Sequence, residues 1–454
     1  MNIPRPGRIS AGNGSVLVEH PTEALKEGLC WFRRTPDGDG QYEYLYSYDS
    51  TRDVLVTMPG FVQRAMALCP KHGLRDERVP LPDPDMRSAM EGVDAVYAPV
   101  LERAIRTGGG VVSVPNIIGF AATARAILSA FPRDGLVDRG TPVSLVAVEG
   151  HASAKRTVAL LRHTMPGREI GLAPRTDSDD IIVGTYRSLA ETPRHCVGLF
   201  VCQGLPSYDK SVVEAISSIR GAARWCVCSS PWGGAHGGLD LVSEGLFGPE
   251  SASISYDDVV KAGMATPVTV CWLECPRPNA PEVSAPLDVL SAMCMQDNPR
   301  FVTAVHDMVH GVSGDVGCIL TGASPTLRRL ASTMPEVAYV RGKMSAARRN
   351  AAMEDIAAGT VRKAILDGFF PMTSSHGVMI LADCGGADAV QWFPSKRLAR
   401  RWDRTYIVDF LHKWDIHNGR HGRLYLNDEA RERRYAEMGF AQVSIGGVSK
   451  LPFL

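Results

Sequence analysis

Along most of the chain, short apolar runs alternate with longer amphipathic stretches, the pattern of parallel strands buried on both faces and covered by helices. From Met86 the spacing predicts a helix to about 106, an apolar strand at Val111–Val114 ending at Pro115, and a helix over Ala121–Ala130. Strands are then predicted at Val143–Val148, Ile181–Val183, Leu199–Cys202 and Trp225–Cys228, with helices at Ala152–His163 and Ser211–Arg220. The apolar run Val268–Leu273 precedes a proline-rich stretch, CPRPNAPEVSAP at 275–286, which reads as a linker. Beyond it the theme returns, with helices at Pro299–Val309, Ser324–Met334 and Ala346–Ala358. The strands of this half are expected at Gly317–Leu320, Val337–Val340, Lys363–Leu366, Val378–Ala382 and Tyr406–Asp409.

Residues 1–85 are rich in turn formers and show strand-like runs only at Tyr42–Tyr48 and Asp53–Met58, so a small accessory region is expected there. The expected plan is accessory region 1–85, first α/β domain 86–274, linker 275–286 and second α/β domain 287–454.

With 454 residues, of which 45% are hydrophobic and 22% charged, the chain is long enough for two large cores, and wholesale disorder or a collagenous fibre is excluded. Forty-nine basic residues balance forty-nine acidic ones, so attraction to nucleic acid must come from local patches. No apolar run is long enough to span a bilayer and the start lacks a secretory core, so a soluble, intracellular protein with no membrane partner is expected. The eleven cysteines are odd in number and sit mostly in apolar runs, which suits reduced thiols rather than disulfides or zinc. His412, His417 and His421 near Asp415 lack the spacing of a metal set, and no metal is expected.

The candidate chemistry lies in segments that follow strands. They are GGGVVSVPNIIGFAATARAI at 108–127, DDIIVGTYRSL at 179–189, VGLFVCQGLPSY at 197–208 and RWCVCSSPWGGAHGGLDLVSEGLFGP at 224–249. In the second half come VRGKMSAARRNAAMEDIAAG at 340–359, DGFFPMTSSHG at 367–377, QWFPSKRLARRW at 391–402 and IVDFLHKWDIHNGRHGRLYLNDEARERRYAEMGF at 407–440. In this order they resemble the motifs of the two-RecA-domain core of superfamily 2 helicases, in the branch of the DNA helicases of poxviruses and other large DNA viruses. The resemblance spans roughly residues 86–440 and implies two RecA-like parallel-sheet domains in tandem.

The resemblance also implies roles. Pro115, Gly119, Phe120 and Ala121 occupy the phosphate-binding loop, where the family carries Gly-Lys-Thr; here Phe120 replaces the lysine and Ala121 the hydroxyl. Gln203 and Gly204, followed by Leu205 and Pro206, stand where the family's Asp-Glu-Ala-His holds magnesium and poises water. Arg397 and Arg400 keep the spacing of the arginines that reach the terminal phosphate, while Gln391 is displaced. Gly184, Thr185 and Ser188 match a strand end that grips the nucleic-acid backbone, with Arg341, Lys396 and Arg401 as further contacts. Arg125 or Lys155 could substitute for the missing cation and Asp180 or Asp240 for the missing acids.

Loss of one transition-state donor costs about 2.7–4 kcal/mol. A cation, a hydroxyl and two acids are absent here together, so the sequence points to a vestigial nucleotide site with no catalytic residue and no cofactor. The expected function is a pseudo-helicase that binds DNA or RNA through local basic patches or acts as a scaffold, within a viral or host protein assembly of replication, transcription or the particle. The alternatives are an active ATP-dependent DNA helicase or translocase using ATP and magnesium, or a structural virion protein. The expected location is inside a host cell, or in the virion.

Overall fold

The computed structural model describes residues 7–12, 15–34, 40–76, 81–115, 119–131, 143–148, 150–173, 180–190, 197–204, 210–217, 219, 221–228, 239–278, 286–314, 316–341, 344–367, 377–385, 404–417 and 420–454. The chain divides into two compact units, Met1–Ile254 and Ser255–Leu454.

In the first unit the N-terminal region supplies β1 (Arg8–Ala11), β2 (Val16–Glu19), β3 (Cys30–Arg34), β4 (Gly40–Tyr44), β5 (Tyr46–Asp49), β6 (Val54–Thr57) and β7 (Gly73–Asp76). A mixed sheet runs β5-β6-β2-β1-β7, and β3 and β4 form a separate ribbon. The run expected as one strand over Tyr42–Tyr48 divides at Leu45, whose side chain is buried and whose N–H turns inward to the Leu29 carbonyl at 2.9 Å. Ile9, Val18, Leu55 and Phe61 share one buried cluster with Leu145, Phe200 and Leu246. Arg64 Nε also donates to Glu244 Oε1 at 2.9 Å. The region expected to be accessory is therefore fused to the core of the first α/β sheet.

That sheet contains β8 (Gly110–Ser113), β9 (Val143–Val148), β10 (Ile170–Leu172), β11 (Ile181–Thr185), β12 (Val197–Gln203), β13 (Gly221–Cys228) and β14 (Glu250–Ser253). All its pairings are parallel, in the order β10-β11-β9-β12-β13-β8-β14. The second unit supplies β15 (Val268–Glu274), β16 (Cys318–Gly322), β17 (Ala338–Arg341), β18 (Lys363–Asp367), β19 (Val378–Ala382) and β20 (Thr405–Leu411). A ribbon of β21 (Ile416–His417) and β22 (Arg420–His421) and the last strand β23 (Ala441–Ile445) complete it. This sheet is also all parallel, in the order β17-β18-β16-β19-β20-β15-β23. Counted along the chain, both sheets place their strands as third, fourth, second, fifth, sixth, first and seventh. The two α/β sheets thus share one topology.

The repeated order corrects the expected boundary. Val268–Leu273, expected to end the first domain, lies in β15, hydrogen-bonded to β20 on one side and β23 on the other. The units divide before Ser255, and the stretch 275–286 lies inside the second unit, with 279–285 outside the described residues.

Local signals account for the helix ends. The helix expected over 86–106 is two, Met86–Met90 and Ala98–Arg106, separated by Gly92 at φ 66°, with Asp85 accepting from the first helix's Arg87 and Ser88 N–H groups. Asn298 caps helix Pro299–Gly311, and Ser345 and left-handed Gly359 bracket helix Ala346–Ala358. Among the described residues no helix is long and apolar enough to cross a membrane. The described cysteines are free, and all but Cys30 are buried.

Candidate functional site

In sheets of this kind ligands are held at the carboxyl ends of the strands, where loops lead into helices. In the first unit β8 leads into buried Val114 and Pro115, and Gly119, at φ 78°, caps helix Phe120–Ala130. A helix start offers unpaired N–H groups to an anion. Phe120 and Ala121, both half-buried, open the first turn and bring neither a cation nor a hydroxyl. The nearby hydroxyl, Thr123, is fully buried, within 2.6 Å of the Tyr97 hydroxyl and 3.4 Å of the Gly119 carbonyl.

The neighbouring strand ends are sewn together. Val114 N–H donates to the Cys228 carbonyl at 2.8 Å, and Ser113 Oγ lies 3.4 Å from Cys228 Sγ. Gly204 N–H donates to the Val227 carbonyl at 2.8 Å. The Tyr186 hydroxyl reaches the carbonyls of Gln203 at 2.8 Å and Gly204 at 3.1 Å. Pro115, Gly119, Phe120, Ala121, Gln203 and Gly204 thus all belong to the carboxyl edge of one sheet. Leu205, Pro206, Lys396, Arg397, Arg400 and Arg401 lie outside the described residues.

Of the four groups considered as substitutes, Arg125 and Asp180 are engaged elsewhere. Arg125 Nη2 donates to the Glu91 carbonyl at 2.5 Å, which ties the guanidinium to the end of helix Met86–Met90. Asp180 precedes β11, at the opposite edge of the sheet, and pairs with Arg168 Nε at 2.5 Å. Lys155 is exposed on helix His151–Thr164, and the side chain of Asp240 lies outside the description.

At the end of β11, Gly184 is demanded by packing, because a Cβ there would meet Ser188 Oγ at 2.6 Å and Ala173 Cβ at 2.7 Å. Thr185 Oγ1 accepts from the Ser188 N–H at 3.2 Å, and Ser188 Oγ donates back to the Thr185 carbonyl at 3.1 Å. This reciprocal pair starts helix Tyr186–Ala190 and presents exposed Arg187 beside it. In the second unit Arg341 is exposed at the end of β17, its guanidinium 5.5 Å from the Tyr339 ring centre.

The second unit also holds a buried polar network that the motif reading missed. Arg431 Nε donates to Asp409 Oδ2 at 3.0 Å and Nη2 to Asp428 Oδ1 at 2.9 Å, all three side chains being almost fully buried. The Tyr435 hydroxyl donates to Asp409 Oδ2 at 2.9 Å. His412 Nδ1 lies 3.0 Å from Asp428 Oδ1, and its Nε2 lies 3.5 Å from Cys384 Sγ. Burial opposes the imidazolium, but Cys384 and the bonded, charged Asp428 outweigh it and push the His412 pKa up to about 10. Asp415 Oδ2 accepts the Leu424 N–H at 2.8 Å and so neutralises the start of helix Arg423–Glu437. A lone aspartate inside the apolar run YIVDFL was the available signal, since a buried charge needs a partner.

No protein-family model matches the sequence, and no curated protein matches it. Solved structures do match. The S. cerevisiae Dbp5 variant L327V bound to RNA and ADP BeF3 aligns at TM-score 0.52 and 10% identity, over 80% of this chain and 94% of that one. The ATP-dependent Type ISP restriction-modification enzyme LlaBIII bound to DNA aligns at 0.52 and 12% identity, over 83% of this chain but 32% of that one. T4 UvsW aligns over 97% of this chain and 99% of that chain, at TM-score 0.42 and 12% identity. With the repeated strand order, the Dbp5 and LlaBIII alignments show the fold: two RecA-like parallel-sheet α/β domains in tandem, preceded by a small mixed sheet.

Proposed function

We propose that the protein is a superfamily 2 pseudo-helicase, which keeps the tandem RecA-like fold and a grip on nucleic acid but does not turn over ATP. The observation that carries this reading is the carboxyl edge of the first sheet. Phosphoryl transfer is catalysed by positioned charge, a lysine on the phosphates and acids holding magnesium. Phe120 begins the helix where that lysine is needed, and Gln203 and Gly204 end the strand where the acids are needed. A Cβ at Gly204 would moreover lie 3.0 Å from the Cys228 Cβ, so an acidic side chain there would have to displace its neighbour.

Nucleic-acid binding is supported by the RNA- and DNA-bound structures that share the fold, and by exposed Arg187 and Arg341 at strand ends. Tyr42 and Tyr44 add exposed rings, 60% and 59% accessible, on the β3–β4 ribbon. Such rings stack on unpaired bases without reading their sequence. The sequence resemblance to the large DNA virus branch, close over 407–440, supports a setting in a viral replication, transcription or particle assembly within the host cell.

The test is binding of a fluorescent single strand as salt is varied, with and without ATP and magnesium. The reading requires salt-dependent binding that nucleotide does not alter and that weakens in an Arg397→Glu, Arg400→Glu variant. Nucleotide-dependent affinity would overturn it.

A further inference from the structure

The first unit has a cavity of about 270 Å³ far from the carboxyl edge, where β8, β13 and β14 begin. Its walls come from both parts of the unit: Gly60 and Gln63 from the N-terminal region, and Arg103, Gly109, Arg224 and Glu250 from the α/β sheet. Ligands of parallel sheets are held at the other edge, so this cavity is unrelated to the vestigial nucleotide site.

Arg224, on β13, is 6% exposed. Its Nη2 donates to the Ile219 carbonyl and its Nη1 to the Leu246 carbonyl at 3.5 Å, while its Nε has no hydrogen-bond partner among the described residues. Carbonyl oxygens solvate a guanidinium but do not neutralise it, and no carboxylate bonds to it among the described residues. Burial lowers its pKa to about 10, which leaves it charged at neutral pH. A buried cation without a counter-charge is costly, and buried charges are ordinarily paired. Arg103, exposed on helix Ala98–Arg106, adds a second cation to the same wall. Glu250, itself exposed, is the one acid among the described lining residues.

The glycines of the wall have a separate explanation. A Cβ at Gly109 would lie 2.9 Å from the Arg224 carbonyl oxygen, and one at Gly110 would lie 2.6 Å from that of Pro249. They report close packing, and the case rests on the unneutralised arginine facing a cavity.

We propose that this cavity binds a compact oxyanion, the phosphate of a small monoester or the carboxylates of a small diacid, with Arg224 and Arg103 supplying the positive charge. The volume sets the class of ligand. It falls at the small end of ligand pockets, which run from roughly 300 to 1,000 Å³, and so suits a phosphate or dicarboxylate with a few carbons rather than a nucleoside triphosphate. Because the walls belong to both the N-terminal region and the sheet, occupancy braces one against the other.

Calorimetric titration and thermal unfolding of the full chain in chloride buffer, with inorganic phosphate and with malonate at matched ionic strength, test the proposal. At least one of the two should bind and raise the Tm. Phosphate binding alone points to a phosphoryl group, and malonate binding alone to a diacid. Arg103→Ala, an exposed change that leaves the core intact, should weaken that binding roughly tenfold. Arg224→Met should abolish it and with it the Tm increase. No heat and no Tm change up to about 10 mM of either anion would overturn the proposal, as would binding that both variants leave intact.

Discussion

Gly204 and Cys228 lie in contact across neighbouring strand ends: a Cβ at 204 would come within 3.0 Å of the Cys228 Cβ and 3.2 Å of its Cα. A side chain at 204 would press on the neighbouring strand, so an acid placed there conflicts with the core. Gly204→Glu is expected to cost about 1–3 kcal/mol through overpacking against Cys228, whereas Gln203→Asp, at a half-buried site, costs less. Denaturant unfolding of the two variants checks the difference.

The Arg431 network makes a sharper stability prediction. Removing one partner of a buried ion pair leaves the other charge uncompensated, at about 3–5 kcal/mol. Arg431→Ala strands both Asp409 and Asp428 and is expected to fall in that range, measured by chemical denaturation. Arg433→Ala, whose Nε reaches only the Glu429 carbonyl on the exposed side of the same helix, is expected to change stability by less than about 0.5 kcal/mol.

His412 gives a pH dependence. Its folded pKa is raised from the ordinary 6.5 to about 10, so its contribution is fully present below pH 6.5 and is lost as the pH climbs towards 10. Stability should decline between about pH 6.5 and 10, and His412→Gln should flatten that slope. In the upper part of that window the buried thiols of Cys271, Cys275, Cys294 and Cys318, also pushed upward by burial, add a slope of the same sign.

The boundary before Ser255 predicts how the chain can be cut. A fragment of residues 255–454 retains β15 between β20 and β23, and should unfold cooperatively. A fragment beginning at 275, where the proline-rich stretch suggests a linker, loses that strand and should be unfolded or aggregated. Circular dichroism melting distinguishes them.

The α/β alternation was legible because parallel strands covered on both faces must be continuously apolar, as in Val143–Val148 and the fully buried Val378–Ala382. β14, with sequence ESAS, and β23, with AQVSI, escaped because each is an edge strand with mixed exposure. The boundary was misplaced for a related reason, since proline content reports local stiffness while the partners of β15 lie more than 130 residues away. At the candidate site, the identities of Phe120, Gln203 and Gly204 could be read directly. The closure of Gly204 onto Cys228 could not, because it depends on the pairing of β12 with β13. The Arg224 cavity was equally hidden, since no local pattern around Arg224 marks it as buried.

Phosphate release from ATP and magnesium, with single-stranded DNA, duplex DNA or RNA present, tests the central claim most directly. The account predicts no release above buffer from the unmodified chain. It predicts none from Phe120→Lys either, because a restored cation still finds no carboxylate at Gln203 and Gly204. Nucleic-acid-stimulated turnover by the unmodified chain would contradict it.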